Sequence, residues 1–213
     1  MKLSKYIDHT LLKADATKEQ ITKLCKEAIE HDFKSVCVNP SYIPLCKELL
    51  KGSDVLVCTV IGFPLGQMST KAKVFETSDA IAMGADEVDM VINIAKLKEK
   101  DHSYNVNEIS EIKKACGDKT LKVIIETCLL NNEEKIDACH SIVEAGADFV
   151  KTSTGFSTSG ATFEDVELLK KTVGDKALVK AAGGVKSHDD FLKMVELGAD
   201  RIGTSSGVKL IQE

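Results

Sequence analysis

Apolar positions along this chain follow two alternating rhythms. Short continuous runs, such as Val55-Leu-Val-Cys-Thr-Val-Ile61 and Leu121-Lys-Val-Ile-Ile125, alternate with longer stretches whose apolar residues fall three and four apart. A continuous run suits a strand covered on both faces, and the wider spacing suits an amphipathic helix. Thr17-Lys-Glu-Gln20 opens one such helix, with Ile21, Leu24, Cys25, Ala28 and Ile29 on one face. Its threonine and glutamine are spaced to cap each other's free backbone N–H groups. Thr162-Phe-Glu-Asp165 and Ser187-His-Asp-Asp190 start further helices with capping hydroxyls.

The pattern predicts eight strands, near Tyr6–Leu11, Ser35–Asn39, Val55–Gly62, Glu87–Ile92, Lys122–Thr127, Phe149–Ser153, Leu178–Ala182 and Arg201–Thr204. The first is the weakest, being short and polar. A Gly-Ala-Asp triplet recurs at 84–86, 146–148 and 198–200, each time between a helical pattern and an apolar strand. Glycine suits the left-handed residue that ends a helix, so the repeat marks β/α units and a parallel sheet. Eight units in one domain, residues 1–213, predict an α/β fold of the (β/α)8 TIM-barrel kind. An open doubly wound sheet would place Gly-x-Gly-x-x-Gly after its first strand, and that motif is missing.

Composition narrows the function. The 213 residues are 43% hydrophobic and carry a net charge of −5, with the lysines spread among acids, which argues against nucleic acid as a partner. No apolar stretch approaches the roughly 18–20 residues of a membrane span. Met1–Thr10 lacks the apolar core of a signal peptide, so a cytoplasmic protein is expected. Seven cysteines, odd in number and without a C-x-x-C pair, read as reduced core thiols. Amphipathic helix faces leave a homodimer open.

In such a barrel, chemistry gathers at the C-terminal ends of the strands. The polar residues there are Asp8, Cys37, Asn39, Asp89, Asn93, Glu126, Lys151, Lys180 and Ser205. Two of them are lysines inside apolar runs, Asp148-Phe-Val-Lys151 and Ala177-Leu-Val-Lys180. A lysine there must find a partner or give up its proton, and a free amine is the nucleophile that forms a Schiff base with a carbonyl. Alternation turns Phe149, Lys151 and Ser153 to one face, and Lys180 lies at the same depth one unit later. Neighbouring strands lie about 5 Å apart, so the two ammonium groups would approach closely and at least one would titrate low. A strand-end lysine that snorkels to solvent is the plainer alternative. Asp89 shares a face with Glu87 and Val91, and a buried carboxylate there needs a cation, either as a structural ion pair or as a proton relay with Lys180.

Two glycine-rich segments, Ala182-Gly-Gly-Val-Lys186 and Gly203-Thr-Ser-Ser-Gly207, follow the last two strands. That is the usual phosphate site of this fold, with backbone N–H groups and serine hydroxyls as donors. Gly62-Phe-Pro-Leu-Gly66 reads as a loop rimming the site. The five histidines are scattered, and only His9 falls near a strand end, so neither a metal nor another cofactor is expected.

These segments are similar to the deoxyribose-phosphate aldolase family. The resemblance rests on Ile7-Asp-His-Thr-Leu-Leu12, Val36-Cys-Val-Asn39, Gly84-Ala-Asp-Glu-Val-Asp89, Phe149-Val-Lys-Thr-Ser-Thr-Gly155, Val179-Lys-Ala-Ala-Gly-Gly184 and Gly203-Thr-Ser-Ser206, from about residue 7 to residue 209. It implies a metal-independent class I aldolase of deoxyribose phosphate catabolism, which interconverts 2-deoxy-D-ribose 5-phosphate with glyceraldehyde 3-phosphate and acetaldehyde. By position it makes Lys151 the Schiff-base lysine, Lys180 the second lysine and Asp89 the acid of the relay. Gly155, Gly183, Gly184, Ser205 and Ser206 match phosphate-loop positions, Asp8 an acid near the sugar hydroxyls, and Cys37 a cysteine close to the site. Two positions depart from some relatives. Phe156 stands where they carry a lysine, and Val208-Lys-Leu-Ile-Gln-Glu213 replaces a mobile tail ending in tyrosine. A phosphosugar isomerase without an imine, and a binding protein on an aldolase scaffold, remain alternatives.

Overall fold

The computed structural model describes residues 2–211; Gln212 and Glu213, part of the C-terminal segment just quoted, lie outside them. Eight parallel strands close into a barrel in chain order: β1 Ile7–Leu11, β2 Ser35–Val38, β3 Leu56–Ile61, β4 Glu87–Val91, β5 Thr120–Ile124, β6 Phe149–Lys151, β7 Leu178–Ala182 and β8 Arg201–Thr204. Around it run α1 Lys18–Glu30, α2 Ile43–Leu49, α3 Thr70–Ala82, α4 Ile94–Lys98, α5 His102–Cys116, α6 Asn132–Glu144, α7 Phe163–Val173, α8 His188–Glu196 and α9 Gly207–Ile211. All eight expected strands form, including the weak first one. β5 and β6 stop earlier than their apolar runs suggest, because Glu126 and the Thr152–Gly155 segment turn away to build the barrel mouth.

The expected caps are in place. Thr17 and Gln20 form a reciprocal capping box, as do Ser187 and Asp190, and the Thr162 hydroxyl accepts from the Asp165 N–H. The Gly-Ala-Asp triplets have a shared geometry. Their glycines take left-handed φ values of 108°, 74° and 103°. The following aspartates, Asp86, Asp148 and Asp200, accept the backbone N–H groups of Val57, Leu121 and Val179 at 2.8–2.9 Å. A lysine from the covering helices, Lys47, Lys113 or Lys170, pairs with each. Every triplet therefore ties an even-numbered strand to the odd-numbered strand before it at the bottom of the barrel.

Apolar side chains of α1 to α8 pack on the outer faces of the strands, as with Ile21, Leu24, Ile109, Ile142, Leu169 and Phe191. His9 points outward into this layer, bonding Glu27 at 2.8 Å beside the Phe33 ring. It is thus a core histidine on the side of β1 opposite the barrel interior. The interior is different, because its central layers are charged.

One glycine is fixed by close approach. Gly66, at φ 68°, has no room for a side chain, since a Cβ there would lie 2.2 Å from the Ile92 carbonyl oxygen. Gly66→Ala is expected to destabilise the protein by about 1–3 kcal/mol, the usual cost of such strain. Urea unfolding of parent and variant measures it.

Candidate active site

The sheet register places the lysines side by side. Lys151 on β6 is directly opposite Lys180 on β7, and Asp89 on β4 is opposite Lys122 on β5. All four side chains point inward and are buried. One Asp89 oxygen accepts from Lys151 and from Lys180, both at 2.8 Å, and the other accepts from Lys122 at 2.8 Å. Lys180 also contacts Asp8, and Lys122 contacts Glu87 at 2.6 Å. Arg201, opposite Lys180 in the register, completes the set by bonding Asp8 and, at 3.1 Å, both oxygens of Glu87. The Phe149 ring lies beneath Lys122 and Arg201, at 5.8 and 5.6 Å, as its alternation with Lys151 requires.

Burial raises the cost of each charge, and the neighbours decide the outcome. For Asp89, desolvation pushes its pKa up, but Lys122, Lys151 and Lys180 outweigh it and hold the carboxyl well below its ordinary range. Asp8 is likewise held low against its burial by Arg201, Lys180 and Lys122. Lys180 moves opposite to a lysine crowded by another cation. Burial lowers its pKa, yet Asp8 and Asp89 carry it above the ordinary lysine value. Lys180 is therefore a fixed cation, a correction to the picture of two lysines that simply repel one another. Lys122 is raised too, against its burial, chiefly by Asp89.

Of this network, Lys151 alone reaches the cavity at the barrel mouth. That cavity has a volume of about 440 Å3, and Lys151 lines its floor. Gly155, Gly183, Gly184, Ser205 and Ser206 line the same cavity, so the structure gathers the glycine and serine positions around one space with the lysine. Asp8 is placed differently. It is fully buried, contacts Lys180 and receives the Ser35 hydroxyl at 2.6 Å. Asp8 thus stands beside Lys180 within the charged layer beneath the cavity.

The double glycine has a steric reason. Gly160, in the loop after β6, packs so tightly on the turn after β7 that a Cβ there would lie 2.4 Å from the Gly183 carbonyl carbon. Gly183 and Gly184 take φ values of 68° and 78° under this contact. Gly203 leaves room for the Lys180 stem, which passes 3.1 Å from where its Cβ would be.

Two supports frame Lys151. Glu126, buried and in the left-handed conformation at φ 55°, accepts the Thr154 N–H at 3.1 Å and also its hydroxyl. The N–H groups on either side of it, from Ile125 and Thr127, bond the carbonyls of Lys151 and Thr152. Across the mouth, Phe63 of the Gly62–Gly66 loop meets Phe156 edge-on, with ring centres 5.3 Å apart, so this loop does rim the site. Asn39 and Asn93 serve the scaffold, bonding the Leu12 carbonyl and capping α4.

Cys37 faces Cys58 across β2 and β3, and Cys58 lies 3.2 Å from Asp89. Cys37, Cys58 and Asp89 hold their ligand atoms within 4.8 Å, as do Asp8, Cys58 and Glu87. The carboxylates of both sets already serve Lys122, Lys151, Lys180 and Arg201, whose charges would oppose a metal cation. These donors do not suit a metal.

Lys122, Arg201 and Glu87 escape a search confined to strand C-termini because they lie one step deeper. Lys122 nevertheless carries the same signal as Lys151, a lysine within an apolar run.

The match to known proteins covers the whole arrangement. Residues 2–212 fit the model of the DeoC/LacD family aldolases. The chain belongs to that family. A deoxyribose-phosphate aldolase from Finegoldia magna is 63% identical over 212 residues, covering 100% of both chains. One from Malacoplasma penetrans is 61% identical over 99% of this chain and 95% of its own. Among solved structures, the tetrameric deoxyribose phosphate aldolase of Aeropyrum pernix superposes with a TM-score of 0.91 at 36% identity, over 98% of this chain and 89% of that one. Membership in the DeoC/LacD family thus coincides with a barrel whose buried lysines share one carboxylate.

Asp89→Asn removes the anion that three lysine side chains share, and is expected to cost about 3–5 kcal/mol at neutral pH. Because the folded-state pKa of Asp89 lies below 3.8, its contribution is complete above that value and is lost as pH falls through the lower one. The stability gap between parent and variant should therefore narrow by about 1.4 kcal/mol per pH unit below 3.8. Urea titrations at pH 7 and pH 3 read both.

Proposed function

We propose that this protein catalyses the reversible aldol cleavage of 2-deoxy-D-ribose 5-phosphate to D-glyceraldehyde 3-phosphate and acetaldehyde through a Schiff base on Lys151. The observation that carries the reading is Lys151 on the cavity floor, 2.8 Å from an Asp89 oxygen that also binds Lys180. The substrate follows from the relatives' activity and from the donors that line the same cavity as the lysine.

The buried interior holds three carboxylates, Asp8, Glu87 and Asp89, and four bases, Lys122, Lys151, Lys180 and Arg201. The Lys151 amine adds to C1 of the open-chain aldehyde. Lys180, through water, gives the proton that turns the carbinolamine oxygen into departing water, and Asp89 holds the lysine in place. The protonated imine accepts the electron pair of the C2–C3 bond while the C3 hydroxyl gives up its proton to the relay. Acetaldehyde carries two carbons, so that bond is the one that breaks. Glyceraldehyde 3-phosphate leaves, an enamine remains, its C2 is reprotonated, and water hydrolyses the imine.

Gly155, Gly183, Gly184, Ser205 and Ser206 hold the phosphate, so binding energy far from the reaction sets the carbonyl against Lys151. Asp8 acts through Lys180, keeping it charged and aimed.

Borohydride added with deoxyribose 5-phosphate is expected to leave a covalent adduct that peptide mapping places on Lys151 and that Lys151→Ala lacks. An isomerase or a binding scaffold would remain unlabelled. Lys180→Leu should keep the far-ultraviolet circular dichroism of the parent and lose at least ~100-fold in turnover, the scale of one proton-transfer group. Near-parental turnover in that variant would remove Lys180 from the relay.

A further inference from the structure

The phosphate seat proposed above is rich in donors and poor in charge. Its glycines and serines offer N–H and O–H groups, and Phe156, lining the same cavity, offers an apolar ring. Lys151 lies on the floor and is engaged by Asp89. A phosphate dianion that gives up water to enter such a seat needs a cation, since charge-assisted bonds are about twice as strong as neutral ones.

One other basic residue lines the cavity. Lys13 follows β1, and β1 pairs with β8 so that His9 lies opposite Thr204. The chain leaving β1 therefore runs alongside Ser205 and Ser206, on the wall away from Lys151. Lys13 is exposed, and among the described residues its ammonium has neither an ion-pair nor a hydrogen-bond partner. The interior lysines Lys122, Lys151 and Lys180 are committed to Asp89 and Lys98 to Glu134, while Lys186, exposed after the Gly183–Gly184 turn, does not line the cavity.

We propose that Lys13 is the cationic partner of the substrate phosphate and sets the preference for phosphorylated over unphosphorylated sugar. The inference rests on the aldolase reading. A lysine suits this place because its flexible stem brings a point charge to the anion without demanding one bidentate geometry. It acts on binding of the non-reacting end, so its effect falls on KM and leaves the proton relay to Asp89 and Lys180.

The test compares parent, Lys13→Ala and Lys13→Arg on 2-deoxyribose 5-phosphate and on 2-deoxyribose, with inorganic phosphate as a competitive probe. Lys13→Ala is expected to lower the preference for the phosphorylated sugar about tenfold or more, mainly through KM, as losing one bond to a charged group implies. Inhibition by inorganic phosphate should weaken to a similar degree, and Lys13→Arg should restore most of both. A preference and a phosphate inhibition within twofold of the parent's in Lys13→Ala would overturn the assignment. Borohydride trapping of acetaldehyde on Lys151 of the parent separates the two readings. With trapping present and the preference unmoved, only Lys13 is wrong; with trapping absent, the aldolase reading fails and the Lys13 assignment falls with it.

Discussion

A single buried carboxylate organises this barrel. Asp89 sits on the barrel axis with no exposed surface and accepts from Lys122, Lys151 and Lys180, each at 2.8 Å. None of these groups would be tolerable there alone, because an ionised side chain in a dry interior costs several kcal/mol unless it is paired. Together they support one another. Asp89 keeps Lys180 charged, Asp8 holds Lys180 from the other side, and Arg201 ties Asp8 to Glu87. The chemistry draws on this mutual dependence. Lys151 is the member of this network that faces the cavity, and its amine is held there by the same carboxylate that holds Lys180.

The glycines serve the same end by steric means. Gly203 clears a path for the Lys180 stem, and Gly160 lets two loops meet backbone to backbone so that Gly183 and Gly184 turn toward the cavity. Glu126 adds strain, its left-handed backbone held by bonds to the segment that follows Lys151. Rigid support on both flanks keeps the lysine amine aimed at one spot, as positioned catalysis requires.

Much of this was legible along the chain. Strand alternation alone turns Lys151, Lys180 and Asp89 inward, and the Gly-Ala-Asp repeat announces the β/α units. What alternation leaves open is the stagger between strands, which decides which inward residues meet. Lys122 and Arg201 lie nearer the bottom of their strands, and only the register brings them to Asp89, Glu87 and Asp8. The same limit explains Asp8, whose inward direction is readable but whose place beside Lys180 is not. The direction of the Lys180 shift depends on two carboxylates that stand far from it in sequence.

The three Gly-Ala-Asp ties join β3 to β4, β5 to β6 and β7 to β8, while in the first pair Lys34 stands where the aspartate would be and only its backbone N–H reaches across, to the Ile7 carbonyl. The barrel thus reads as four two-strand modules, three of them pinned from below by an aspartate. Its chemistry lies on the boundaries between them: Cys37 with Cys58, Asp89 with Lys122, Lys151 with Lys180, and Asp8 with Arg201 all face each other across modules. No module by itself neutralises its own interior charges. Ring closure is what satisfies them, so a barrel missing or misplacing one quarter would be left with naked buried ions rather than a merely looser core.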